Sequence, residues 1–173
     1  MTRHILGGAA IAVALLGTAP GFAANTDTKP MTAEALILKP LTLTRQSDLS
    51  FGTIIPSGSG DLVTINADTG ARSSPSANLV LTDPGFRARF ASSGLNNQFV
   101  VLALSPPADL VDVSNGNLLT LVNLSLDNGG NPLRILTPAS QTFFVGIGGT
   151  VFVRANQQEG TYTGTFTLTA NYL

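Results

Sequence analysis

Polar and apolar positions alternate most strictly along the stretch from Gly160 to Leu173. One row reads Tyr162, Gly164, Phe166, Leu168, Ala170, Tyr172. The other reads Thr161, Thr163, Thr165, Thr167, Thr169, Asn171. A period of two is that of a β-strand with one face buried and one face wet. A helix would scatter both rows around its circumference, and its crowded turns would restrict the β-branched threonines. The pattern predicts one long amphipathic strand over 160–173. Its apolar row must be covered by other strands of the chain or by another chain.

The same reading, taken from the N-terminal side, predicts many more strands. Residues 33–44 read as an extended segment that Pro40 interrupts or places at a sheet edge. Arg45 to Asp48 reads as a turn. Leu49 to Ile55 is the next strand, with Gly52 marking a bulge or a close backbone contact. Strands follow at 62–66, 77–82, 86–90, 98–105, 110–113, 118–126, 134–136 and 142–153. Asp83-Pro84-Gly85, Asn115-Gly116 and Asp127-Asn128-Gly129-Gly130 mark the turns between them. Gly146 and Gly148-Gly149 predict bends in the strand that holds them. No stretch carries helical periodicity. Short strands at turn-marked spacing predict an all-β, antiparallel sandwich.

Composition adds three constraints. The 18 glycines and 10 prolines suit many short strands, and charged residues are scarce at 11%. The formal net charge of -1 supplies no basic field for nucleic acid or acidic lipid. The first residues read as an export signal rather than as fold: Arg3 and His4 supply the positive start, Ile5 to Leu16 the apolar run, and Gly21 and Ala23 of Gly21-Phe22-Ala23 the small residues of a cleavage site. The expected organisation is a signal peptide over 1–23, a flexible extension over 24–34 and a sandwich over 35–173. An apolar run of about a dozen residues is short of the ~20 a bilayer span needs, so no membrane span is expected in the mature chain.

Candidate chemistry is sparse. There is no cysteine, and the single histidine, His4, falls in the signal. The commonest general base and the best nucleophile are therefore missing from the mature chain. Asp48, Asp61, Asp68, Asp83, Asp109, Asp112 and Asp127 nearly all sit beside turn residues, where Asp bonds its own backbone. Asp109 with Asp112, or Asp127 with Asn128, supplies oxygens of the kind calcium takes, without a twelve-residue calcium loop around them. Gly146-Ile147-Gly148-Gly149 is not followed by a helix, as a dinucleotide fingerprint requires. Arg87 and Arg89 read as a solvated basic face. No catalytic residue, cofactor or metal is expected, and the chain is expected not to be an enzyme.

Two groups of residues carry a resemblance. The ending Gly160 to Leu173, with Gly160 fourteen from the end and Tyr172 in the penultimate place, resembles the last strand of chaperone–usher pilins. Asp48-Leu49-Ser50-Phe51-Gly52-Thr53-Ile54 is similar to a segment of archaic-type pilins and spore-coat-U-like secreted proteins. With Ala155 to Tyr162, the stretch from about 36 to 173 most resembles the secreted bacterial family called domain of unknown function 4402. The resemblance implies an immunoglobulin-like, pilin-like sandwich with one strand missing. Its groove would be filled by a periplasmic chaperone and then by a neighbouring subunit's extension, in β-strand exchange.

What the resemblance implies for this chain is a secreted structural subunit of a surface fibre or coat, located in the periplasm, at the cell surface or outside the cell. The expected partners are further copies of the chain or a periplasmic chaperone and usher. The assembly residues implied are Gly160, Tyr162, Phe166, Leu168 and Tyr172 on the last strand, and Ala33, Ala35 and Ile37 on the extension. The chain departs from many pilins in having no disulfide. The alternative expectation is a self-complete monomeric sandwich that binds a surface ligand such as a carbohydrate. The absence of Trp, and of any Tyr outside the last strand's apolar row, counts against it.

Overall fold

A computed structural model describes residues 27–139 and 141–173. The signal-peptide reading falls on residues outside these. Two units are separated: the described part of the first, 27–36, is exposed and carries no regular structure, and the second spans Ile37–Leu173. Among the described residues there is no helix, and therefore none long and apolar enough to cross a membrane.

The strands are β1 (Thr42–Ser47), β2 (Ile54–Ile55), β3 (Asp61–Ile65), β4 (Arg72–Ser73), β5 (Val80–Leu81), β6 (Ala88–Ser93) and β7 (Phe99–Ser105). They continue as β8 (Leu110–Asp112), β9 (Leu118–Leu126), β10 (Leu133–Ile135), β11 (Thr142–Val153), β12 (Tyr162–Thr163) and β13 (Thr167–Tyr172). Every pairing is antiparallel. The main sheet runs β1-β6-β11-β9-β8-β12, with β3 and β4 attached beside β11. A second sheet runs β10-β7-β13, and β2 pairs with β5. The fold is an antiparallel β-sandwich, as the strand pattern predicts.

β11 is the central strand. One edge pairs with β9, while the other pairs first with β6 and then with β3. The change of partner falls at the glycines. A Cβ on Gly146 would run into the carbonyl of Ala67, and one on Gly148 into the carbonyl of Ile65. These glycines therefore do not break the strand, which continues from Thr142 to Val153. They let another backbone lie against it.

Two apolar clusters lie along this strand. In the first, Val145 and Ile147 of β11 pack with Ala88, Leu126 and Phe143, and the second sheet covers them with Val100, Leu102 and Leu168. Phe166 adds an edge-on ring contact to Phe90, with centroids 6.4 Å apart. In the second cluster Val63, Leu79, Leu119, Val151 and Val153 are buried together. Each such fully buried side chain contributes about 1.5–3 kcal/mol.

The structure corrects the sequence reading in several places. Of the strand expected over Leu49 to Ile55 only Ile54–Ile55 is strand, with Ser50 bridging Phe86, and of that expected over 77–82 only Val80–Leu81. Residues 33–44 do not form one strand: 27–41 are irregular, and pairing begins only at Thr42, past Pro40, which has no N–H to offer a ladder. Arg45 to Ser47 is strand, not turn, and only the bulge between Arg45 and Ser47 reflects its turn-like composition. The final stretch is two strands on different sheets, β12 on β8 and β13 on β7. Its alternation holds except at Gly164, which is exposed: the threonine row and Asn171 are exposed, and Tyr162, Phe166, Leu168, Ala170 and Tyr172 are partly or fully buried.

Candidate functional site

Between β12 and β13 the chain crosses from one sheet to the other. Gly164, Thr165 and Phe166 span that crossing and have no backbone hydrogen bond within the described residues. The first part of the domain crosses in the same way. β1 pairs with β6, Ser50 then exchanges two backbone hydrogen bonds of 2.9 Å with Phe86, and β2 finally pairs with β5. The two crossings, 49–56 and 157–166, wall a groove of about 920 Å³. Its floor is Leu110 of β8, Leu119, Leu121 and Leu124 of β9, and Val153 of β11. Glu159 is the one charged residue among those lining it.

Local interactions fix both walls. On the first, the Arg72 guanidinium donates to the Phe51 carbonyl at 2.9 Å, and Thr53 Oγ1 donates to Asp83 Oδ2 at 2.5 Å. Gly52 has a φ of 72°, and a Cβ there would overlap the Asp83 carbonyl, so the close contact expected at this glycine is present. On the second, Tyr162 Oη donates to the Gln158 carbonyl at 2.7 Å and accepts from Gln157 Nε2 at 2.9 Å. Gln157 Nε2 also donates to the Leu118 carbonyl at 3.0 Å, which ties the wall to β9.

Gly160 is placed by a residue from another strand. Asp112 is buried, and a Cβ on Gly160 would overlap its Oδ2. Asp112 Oδ1 accepts from the Ser114 backbone N–H at 3.0 Å and from Ser114 Oγ at 2.8 Å. The backbone bond from Ser114, helped by its hydroxyl, holds the Asp112 carboxyl below its ordinary pKa against the opposing effect of burial. Asp61 is lowered in the same way, first by the Ser74 hydroxyl at 2.6 Å and then, against burial, by backbone bonds from Leu62 and Ser76. Asp127 pairs with Arg134 at 2.5 Å and accepts from Gly146 N at 2.8 Å, and Asp109 accepts from Leu121 N at 3.1 Å. Asp61, Asp109 and Asp127 are committed to structural partners, and Asp112 is held through Oδ1 alone, its buried Oδ2 having no hydrogen-bond partner among the described residues. No group of three acidic, His or Cys residues placed to hold a metal occurs among the described residues.

The residues singled out in sequence fall into four places. Gly160, Tyr162 and Phe166 line the groove. Leu168 lies in the first cluster, and Tyr172 closes the far end of β13, where its Oη accepts from Leu95 N at 2.7 Å and donates to the Lys39 carbonyl at 3.0 Å. Ala33, Ala35 and Ile37 are exposed, Ile37 at 92%. Arg87 is partly buried and donates to the carbonyls of Ala67 and Asp68, so the basic face is reduced to Arg89. Sequence reading missed the floor, because its leucines come from separate strands. It also missed Asp112 under Gly160, although Asp112-Val113-Ser114 has the spacing of an Asp turn.

A family model described as Domain of unknown function (DUF4402) matches residues 41–172. No curated protein and no solved structure matches the chain.

Proposed function

We propose, for a chain that belongs to this DUF4402 family, a non-catalytic role as a secreted structural subunit of a bacterial surface fibre or coat, assembled by β-strand exchange. The strand that enters the groove comes from a neighbouring subunit or from a periplasmic assembly chaperone. One observation carries the reading. The apolar-floored groove is lined by Gly164 and Phe166, whose backbone groups have no backbone partner among the described residues. An added strand would pair those groups and lay alternate side chains onto the leucine floor, which is the physics of strand augmentation.

The reading is tested on protein extracted from the surface of the host. Strand-exchanged assemblies dissociate slowly, so unboiled samples on a denaturing gel are expected to run as high-mass species that collapse to one band on boiling. A single monomer band in both lanes overturns the proposal and favours a self-complete sandwich.

A further inference from the structure

We infer that the groove is shaped for a strand with larger alternating side chains than the chain's own extension carries, so that its tight-binding partner is a strand of another protein. The inference rests on the strand-exchange reading and concerns only which strand fits. The extension offers two rows. Thr32, Glu34, Leu36 and Leu38 form one, and laying it inward would place the Glu34 carboxylate on a leucine floor without a partner.

The other row is Met31, Ala33, Ala35 and Ile37. Its two large side chains lie six residues apart, about 20 Å along an extended strand. Between them stand two alanines, each offering one methyl group. The groove is of about 920 Å³, floored by Leu110, Leu119, Leu121 and Leu124 and flanked by Phe51 and Phe166. Apolar sites pack to near-crystalline density, and unfilled volume weakens binding. The better occupant carries Leu, Ile, Val or Phe at the positions where this extension has Ala33 and Ala35. Its remaining features follow from the lining: an extended, uncharged inward row and a backbone free to pair with Gly164–Phe166.

The test uses the mature protein and fluorescent peptides read by anisotropy. One peptide copies residues 29–39, a second carries A33L and A35L, and a third shuffles the second so that its large residues are contiguous. The doubly substituted peptide is expected to bind at least tenfold more tightly than the copy of the extension, because each substitution adds apolar groups that the groove can bury. Its binding is expected to protect the amides of Gly164, Thr165 and Phe166 from hydrogen exchange, and the shuffled peptide is expected not to bind. If the unsubstituted peptide binds as tightly or more tightly, the chain's own extension is the fitting strand and this inference falls while strand exchange stands. Equal binding by the shuffled peptide also overturns it. If no peptide binds and no amide gains protection, strand exchange itself falls, and the inference with it.

Discussion

The two ends of β11 lie under differently built covers. Its first half, from Phe143 to Ile147, faces a complete sheet: Val100, Leu102 and Leu168 come down on it from strands held by continuous ladders. Its second half, from Val151 to Val153, shares a cluster with β9 that is covered by two crossing segments, 49–56 and 157–166. The floor chemistry is the same, large aliphatic side chains on β9 and β11. The covers differ in backbone pairing. In the first half the covering strands pair with one another into one three-stranded sheet, with β10 and β13 at its edges. In the second, short pairings of β2 with β5 and β12 with β8 are supplemented by side chains such as Arg72, Gln157 and Tyr162, which fix the walls without joining them. The two ends of one sandwich are thus covered by different means.

Breaking the closed half is expected to have the largest effect. Leu168→Asp puts an unpaired charge under the second sheet, at a cost of about 3–5 kcal/mol, a large part of a typical domain's stability of about 5–15 kcal/mol. The variant is expected to be unfolded by circular dichroism or absent from the secreted fraction. A normal melting curve would show that the two halves do not differ in this way.

A change in the open half is expected to be milder and local. Gly160→Ala drives a methyl group into the Asp112 carboxylate and displaces the second wall. The expected cost is about 1–3 kcal/mol, or roughly 2–4 °C of melting temperature for each kcal/mol. The variant remains folded but loses the high-mass species on unboiled gels. If Tm is unchanged and assembly is intact, the wall does not depend on Gly160.

Acid gives the finest test. Asp61 and Asp112, both lowered in pKa by their hydrogen bonds, belong to the open half. A carboxyl lowered on folding stabilises the fold above its unfolded pKa of about 4, and loses that contribution as pH falls through the folded value. Between neutrality and pH 5 both contributions are fully present. Below about pH 4, hydrogen exchange is expected to quicken in 61–76, 110–117 and 157–164 before it does in β7 and β13. Uniform loss of protection would count against separate behaviour of the two halves.

The alternation of 160–173 was sufficient to place Thr161, Thr163, Thr165, Thr167 and Thr169 on the wet face and Leu168 in the core, because the strand period maps sequence directly onto sheet faces. β9, β11 and most of β7 were legible for the same reason: long apolar runs bounded by turn residues have few other solutions. Partner choice was not legible. The even spacing of Tyr162 to Tyr172 contains no sign that the stretch leaves β8 and joins β7, since alternation is the same whichever strand lies alongside. Only tertiary structure decided that Gly164–Phe166 stand unpaired and that Leu110, Leu119, Leu121, Leu124 and Val153 share one floor. It also decided that Gly160 lies over Asp112. A groove is a relation between strands far apart in the chain, and the periodicity within each strand carries no record of it.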